Sequence, residues 1–167
     1  ALTTGLLELF PASAVIGEET ITPGFDYAAD DLLFVIDPVD GTWPFARGLP
    51  VFGSMISILS RGRAVDGLIH YPLTGDTLMT ARGWGVQHLL ADGTRQAISA
   101  AGQGPRLETG LLPLSQYDTA TRRGLVTAFG TLPRIVTIQC SAYEYRMLIE
   151  GHADFCISTG LKPWDHH

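Results

Sequence analysis

One stretch of the chain decides the fold: Leu32-Leu33-Phe34-Val35-Ile36-Asp37-Pro38-Val39-Asp40-Gly41-Thr42. Its first five residues are apolar and indicate a buried strand, which delivers Asp37 and, three residues later, Asp40. Buried carboxylates without a partner are costly, and the usual remedies are protonation, a salt bridge or a metal ion. Because no cationic side chain lies within the stretch, we expect a cation site at its end.

The end of the same stretch has the composition of a tight turn into a helix. Gly41 allows close backbone approach, and Thr42 is expected to cap a helix that begins at Trp43. Free N–H groups at such a helix start attract phosphate oxygens. A cation site beside an anion site suits phosphate chemistry, although a turn with solvated carboxylates would give the same residues.

Composition excludes several other classes of protein. The chain has 167 residues, 46% of them hydrophobic and 17% charged, which is typical of one globular domain. A net charge of −6, with no run of basic residues longer than a pair, argues against a surface that coats nucleic acid. Two cysteines without a CxxC motif favour the reducing cytoplasm, and no apolar run approaches the roughly 20 residues of a membrane span.

Hydrophobic periodicity predicts an α/β protein with two different halves. The first half, about residues 1–100, is expected to hold a short helix, two buried strands and an antiparallel meander, at 1–9, 14–16, 32–36, 52–59, 64–71, 77–81 and 86–90. Residues 101–116 are rich in Gly and Pro and weakly patterned. The second half, about 101–167, alternates helix and strand, at 118–129, 134–138, 141–150 and 154–157, with Ser141 expected as a helix N-cap.

Two further acidic sites share a feature with the Asp37–Asp40 pair. Glu18 and Glu19 follow a short apolar strand that ends at Gly17, and Asp165 follows Trp164. Taken singly, each fits an exposed turn or a capping residue. Taken as a set, the acidic residues each close an apolar strand or adjoin a bulky apolar side chain, which favours a shared site.

The motifs Gly17-Glu18-Glu19, Asp37–Thr42 and Trp164-Asp165 resemble those of the inositol monophosphatase-like, metal-dependent, lithium-sensitive sugar phosphatases. The segments Gly67–Pro72 and Arg82–Gly85 are similar to further motifs of that family. The resemblance covers nearly the whole chain. It implies a single domain over residues 1–167 with a layered α/β/α/β/α sandwich, and we expect the chain to be incomplete at both termini.

The resemblance also implies roles for individual residues. Two or three Mg²⁺ ions would be held by the side chains of Glu18, Asp37, Asp40 and Asp165 and by the carbonyl of Val39. Catalysis would fall to Glu18, Asp40 and Thr42, with the Thr42 hydroxyl and Glu18 orienting the attacking water. Substrate binding would fall to Asp40, Gly41, Thr42, Ser141 and Asp165, with the amides of Gly41 and Thr42 holding the phosphate.

The implied function is Mg²⁺-dependent hydrolysis of a small inositol, polyol or sugar phosphate. Acceleration of phosphate-monoester hydrolysis can approach ~10²¹, far beyond the ~10²–10⁴ of one general base, whereas paired metal ions supply several effects together. Alternatives are a histidinol-phosphate or 3′-phosphonucleotide phosphatase, a non-catalytic metal- or phosphate-binding homologue, or a Ca²⁺-stabilised structural domain. Family members are commonly homodimers.

The chain departs from the family pattern in places that bear on specificity. Trp43-Pro44 stands where the family often has Thr-Asn, and Gln139-Cys140-Ser141-Ala142 stands where it has a GSAA-like segment. Ser158 occupies the position at which inositol-selective members carry an acidic residue. We therefore expect the contact that recognises inositol hydroxyls to differ in this chain.

Overall fold

The larger sheet is a meander with one parallel edge. In a computed structural model that describes residues 1–81, 83–99, 107–160 and 162–166, seven strands pair in chain order: β1 Ala14–Gly17, β2 Leu33–Asp40, β3 Gly53–Ser60, β4 Arg63–Tyr71, β5 Asp76–Ala81, β6 Gly85–Leu89 and β7 Arg95–Ile98. β1 and β2 are parallel, and all later pairs are antiparallel. The predicted meander is confirmed, and β7 extends it by a strand that the sequence did not indicate.

The second half of the chain forms a smaller parallel sheet and most of the helices. The strands β8 Thr109–Leu111, β9 Arg134–Val136 and β10 Phe155–Cys156 pair in the order β10-β8-β9. The helices are α1 Leu2–Leu9, α2 Thr42–Phe45, α3 Thr119–Phe129, α4 Ser141–Ile149 and α5 Pro163–His166, with a 3₁₀ turn at Leu114–Gln116. β8 lies in the segment that the sequence left unpatterned; residues 101–106 of that segment lie outside the described residues.

The two faces of β2 contact different helices. Phe34 and Ile36 pack with Leu6 of α1, whereas Leu33 and Val35 pack with Trp164 of α5. Alternation along a strand sends neighbouring side chains to opposite faces. Asp37 therefore continues the face that meets α5, the helix that carries Asp165.

Helix α4 lies between the two sheets. Its residue Ala142 packs against Met55 and Tyr71 of the larger sheet, while Cys156 of β10 meets the other side of the helix. On the far face of the smaller sheet, Phe155 contacts Phe129 of α3 at 5.2 Å between ring centroids. The order α1, larger sheet, α4 with α5, smaller sheet, α3 confirms the predicted layered sandwich. Within the described ranges, no helix is long and apolar enough to cross a membrane.

Strand β2 is longer than the sequence predicted. It does not end at Ile36 but continues through Asp40, with a shift of register against β3 between Asp37 and Asp40. In a regular strand, residues three apart face opposite sides of the sheet. The irregularity bends the strand and lets both carboxylates enter the same cavity.

Two predicted helix caps are wrong. α2 begins at Thr42 itself, preceded by Gly41 in the left-handed conformation, and the Thr42 hydroxyl donates to the carbonyl of Val39 at 3.2 Å. α4 begins at Ser141, so that Cys140 occupies the cap position without a side-chain cap bond. At the start of α4 the backbone N–H of Ala142 donates to the side chain of Asp40, so a tertiary contact takes the place of a local cap there.

Candidate functional site

Three carboxylates from distant parts of the sequence lie together. Asp37, Asp40 and Asp165 each offer an oxygen atom, and these atoms all lie within 4.8 Å of one another. Asp37 is 4% exposed and Asp40 6%, whereas Asp165 is half-buried. β2 supplies the first two, and α5, which contacts β2, supplies the third. The hydroxyl of Tyr145 donates to the backbone carbonyl of Asp165 at 2.8 Å and so holds α5 against α4.

The three neighbouring carboxylates, Asp37, Asp40 and Asp165, carry negative charges that are unfavourable in buried surroundings. Burial, followed by the charge of Asp40, raises the pKa of Asp37 to about 6, although the N–H of Val39 opposes this with a hydrogen bond of 3.0 Å. Burial and the charges of Asp40 and Asp37 raise the pKa of Asp165 to about 7, against a smaller opposite effect of Lys162. An all-oxygen, anionic set of this kind fits a hard divalent cation such as Mg²⁺.

Asp40 is fixed by the start of α4. Its Oδ2 accepts a hydrogen bond from the backbone N–H of Ala142 at 2.6 Å and another from the thiol of Cys140 at 2.9 Å. Burial and the adjacent Asp40 raise the pKa of Cys140, so the thiol stays protonated and remains a donor. The two donors orient the carboxylate before any cation is bound.

Gly41 occupies a position that tolerates no side chain. Its φ is +85°, and a Cβ there would lie 2.9 Å from the carbonyl oxygen of Val51 and 3.0 Å from the sulfur of Cys140. The first contact is shorter than real Cβ atoms show, the second is tighter than most, and the conformation is itself unfavourable for other residues. Glycine at this position therefore lets the backbone turn directly from Asp40 into α2.

A cavity of about 420 Å³ surrounds the carboxylates, and its walls come from β2, from helices α2, α4 and α5 and from the loops between these elements. The residues predicted to act there that line it are Glu18, Asp37, Asp40, Gly41, Thr42, Ser141 and Asp165. Glu18 is exposed and stands outside the group within 4.8 Å, although its charge raises the pKa of both Asp37 and Asp165. Ser158 also lines the cavity and is exposed. Arg82 of the RGxG-like segment lies outside the described residues.

The sequence analysis missed Glu144, a buried carboxylate on the cavity wall. It is 8% exposed and accepts hydrogen bonds from the N–H of Gln139 at 3.3 Å and from the thiol of Cys156 at 3.6 Å. Burial raises its pKa. Glu144 follows Cys140 by four positions, so the two side chains lie on the same side of the helix. This spacing becomes informative only after that side of the helix is known to meet the site.

Comparison with known proteins gives concordant results. A model of the inositol monophosphatase family matches residues 1–167. The chloroplastic bifunctional phosphatase IMPL2 of Arabidopsis thaliana is 28% identical over 99% of this chain, and the histidinol-phosphatase of Chlorobaculum parvum is 27% identical over 96%. The chain spans only 46% and 60% of these two relatives.

A solved structure shows the same fold. The inositol monophosphatase II of Staphylococcus aureus superposes with a TM-score of 0.82 over 98% of this chain and 60% of that chain. Sequence identity in this pair is 19%, so the likeness concerns the fold alone.

Proposed function

The chain belongs to the inositol monophosphatase family, and from this premise we propose that it acts as a Mg²⁺-dependent phosphatase on a small phosphate monoester. The observation that carries the proposal is the convergence of Asp37, Asp40 and Asp165 within 4.8 Å in a cavity large enough for a small metabolite. The raised pKa values of Asp37 and Asp165 show that the charged forms of these carboxylates are unfavourable without a partner, and a divalent cation would supply the missing positive charge.

The proposed ligands of two or three Mg²⁺ ions are the side chains of Glu18, Asp37, Asp40 and Asp165 and the carbonyl of Val39. Bound Mg²⁺ supplies activation of water, neutralisation of the phosphate charge and stabilisation of the leaving oxygen. The protein contributes the fixed arrangement of oxygens. Asp40 has the clearest support for such a role, because two hydrogen bonds hold its Oδ2 and orient the carboxylate.

Thr42 and its neighbours are proposed to position water and phosphate. The Thr42 hydroxyl donates a hydrogen bond to the Val39 carbonyl. The lone pairs of the hydroxyl oxygen can then accept a hydrogen bond from a water molecule. Glu18, which lines the same cavity, is proposed to act with it. The amides of Gly41 and Thr42 and the residue Ser141 line the same cavity and are proposed to bind the phosphate end of the substrate.

The proposal is tested by phosphate release from inositol, sugar, amino-alcohol and nucleotide phosphates, with and without Mg²⁺. We expect turnover only with Mg²⁺, and its loss in Asp40→Asn with the fold retained by circular dichroism. Asp92→Asn, in a loop away from the site, is the matched control and should keep full activity. Cation binding without turnover on any substrate would support a non-catalytic homologue instead, and tight Ca²⁺ binding without turnover would support a structural domain.

A second candidate substrate is an amino-alcohol phosphate such as histidinol phosphate. Glu144 offers a buried carboxylate on the cavity wall, and the acid that inositol-selective members carry is replaced by Ser158. One relative is named a histidinol-phosphatase. If the substrate carries an amine, Glu144→Gln should lower kcat/KM for histidinol phosphate more than for inositol phosphate; an equal loss for both would leave polyol and sugar phosphates as the substrates.

The proposal further treats residues 1–167 as one domain that works in the cytoplasm as a homodimer. The two free thiols, Cys140 and Cys156, agree with a reducing compartment. Sedimentation velocity over a range of concentrations tests the dimer, because a monomer at every concentration would contradict it.

A further inference from the structure

Tyr71 is a fully buried polar residue at the end of β4, outside the site described above. It is 0% exposed, and its hydroxyl donates to the carbonyl of Ala142 at 2.8 Å. The residue that it contacts is the one whose N–H donates to Asp40. A chain of two hydrogen bonds therefore leads from the larger sheet, through the first turn of α4, to a carboxylate of the proposed metal site.

The surroundings of Ala142 leave it little freedom. It is 0% exposed, and a Cβ added to Gly53 on β3 would lie 2.8 Å from the Cβ of Ala142, so backbone and helix are in close contact there. The Tyr71 hydroxyl adds direction to that contact, because a hydrogen bond to the Ala142 carbonyl fixes the orientation of the helix start and not only its distance from the sheet.

The ring of Tyr71 is itself held from two sides. It meets the ring of Tyr143 edge-on, with centroids 5.2 Å apart, and the guanidinium of Arg146 lies 4.6 Å from its centroid. Arg146 is in turn paired with Asp76 on β5 and with Glu150, each at 3.0 Å. The contacts with Tyr143 and Arg146 confine the side chain of Tyr71 and so hold its hydroxyl in place as a donor.

We propose that Tyr71 is a positioning residue for divalent-cation binding: its hydroxyl fixes the start of α4 so that the Ala142 N–H holds Asp40 in the geometry that a cation requires. The inference rests on the proposed function, because it takes Asp40 as a metal ligand. Partners that orient metal ligands affect affinity strongly although they never touch the ion. Tyr71 contacts neither substrate nor the proposed ions, and acts only through α4.

The test is the variant Tyr71→Phe, which keeps the ring, its contact with Tyr143 and the stacked guanidinium. Calorimetric titration of the substrate-free variant with Mn²⁺ should show an affinity for the ion that is weaker than that of the wild type by on the order of tenfold. In the assay, the Mg²⁺ concentration that gives half-maximal turnover should rise likewise, while kcat at saturating Mg²⁺ stays near the wild-type value.

Two controls separate positioning from a general loss of stability. Tyr143→Phe removes a hydroxyl from α4 without touching the Ala142 carbonyl. Asp118→Ala removes the N-cap of α3, whose carboxylate accepts from the N–H groups of Ala120 and Thr121 and does not line the cavity. Both should leave the Mn²⁺ affinity unchanged, even where Asp118→Ala lowers the melting temperature as much as Tyr71→Phe does.

The possible outcomes are distinct for the two proposals. Unchanged Mn²⁺ affinity in Tyr71→Phe, with wild-type protein that binds the ion and hydrolyses substrate, overturns the inference and leaves the function intact. Weakened affinity in Tyr71→Phe without turnover in the wild type supports the inference and contradicts the phosphatase. A wild-type protein that binds no divalent cation overturns both.

Discussion

At the residue scale, Gly41 shows how closely the backbone approaches the site. A Cβ at this position meets both the Val51 carbonyl and the Cys140 sulfur, and φ is +85°. Gly93 has the same φ of +85°, and no atom of the described residues lies within 4 Å of the place where its Cβ would stand. Comparing the two glycines therefore separates conformational strain from steric collision.

We expect Gly93→Ala to lower the free energy of unfolding by about 1 kcal/mol, the cost of the left-handed conformation. Gly41→Ala should cost about 1–3 kcal/mol more, because the added methyl group collides with the Val51 carbonyl and the Cys140 side chain. Urea denaturation measures both. Equal losses of unfolding free energy in the two variants would show that Val51 and Cys140 move to accommodate the methyl group at no cost, which would contradict the prediction.

Thr42 is the residue for which orientation of water and binding of metal are easiest to separate. Thr42→Ala removes the hydroxyl but none of the proposed Mg²⁺ ligands, so kcat should fall about 10²-fold with little change in the half-saturating Mg²⁺ concentration. Thr42→Ser restores the hydroxyl and should recover most of the turnover. A parallel loss of kcat and of Mg²⁺ affinity in Thr42→Ala would contradict the assigned role.

At the element scale, a buried ionic cluster joins α4 to strands β5 and β6. Asp76 of β5 accepts hydrogen bonds from Thr74, from His88 of β6 and from Arg146 of α4. Burial raises the pKa of Asp76, but these three donors outweigh burial and lower it from 3.8 to about 2. The cluster therefore helps to fix the position of α4, whose residue Ala142 donates a hydrogen bond to Asp40.

The sign of the pH effect follows from the lowered pKa. A carboxylate that is more acidic in the folded state contributes its stability above the unfolded pKa of about 4 and loses it as the pH falls towards 2. Asp76→Asn should therefore cost about 3 kcal/mol at pH 7, and the difference from wild type should shrink between pH 4 and pH 2. Denaturant unfolding at several pH values measures this, and a difference that stays constant down to pH 2 would contradict it.

Elements that carry their own periodicity were predictable from the sequence. The apolar alternation of β3 and β4 and the helical spacing of α3 are local signals, and they are confirmed. Strand β7, Arg95–Ile98, has no such signal, because pairing with β6 rather than its own side chains makes it a strand. β8 is three residues long and includes Gly110, so only its parallel neighbours define it.

The site was predictable to the extent that a short motif encodes it. The Asp37–Thr42 motif predicted Asp37, Asp40, Gly41 and Thr42, and the Trp164-Asp165 motif predicted Asp165; all of them line the cavity. Glu144 and Tyr71 gave no signal, because their relation to the site depends on how α4 packs between the two sheets. The hydrogen bonds that connect Tyr71 and Asp40 to Ala142 of α4 join residues 71 and 102 positions apart, and no local sequence pattern encodes them.

At the scale of the whole molecule, we expect the stability of the fold to depend on protonation and on cation binding at Asp37, Asp40 and Asp165. The pKa values of Asp37 and Asp165, about 6 and about 7 in the fold, exceed their usual 3.8. A carboxyl group with a raised folded pKa contributes stability below its unfolded pKa and loses it as the pH rises through the folded value.

The cation-free protein should therefore lose stability from this group between pH 4 and pH 8, and Mg²⁺ should raise the melting temperature much more at pH 8 than at pH 5. Thermal unfolding with Mg²⁺ or with a chelator measures the effect. The double variant Asp37→Asn with Asp165→Asn is the control, and its stability should depend less on pH and not at all on Mg²⁺. A Mg²⁺ effect of the same size at both pH values would argue against proton-linked binding.

The central claim is that Asp37, Asp40 and Asp165 share divalent cations, and anomalous diffraction from crystals grown with Mn²⁺ tests it most directly. We expect anomalous peaks between the three carboxylates, with oxygen ligands about 2.0–2.2 Å from each ion. Well-ordered crystals with the three side chains resolved and no anomalous peak among them would contradict the claim.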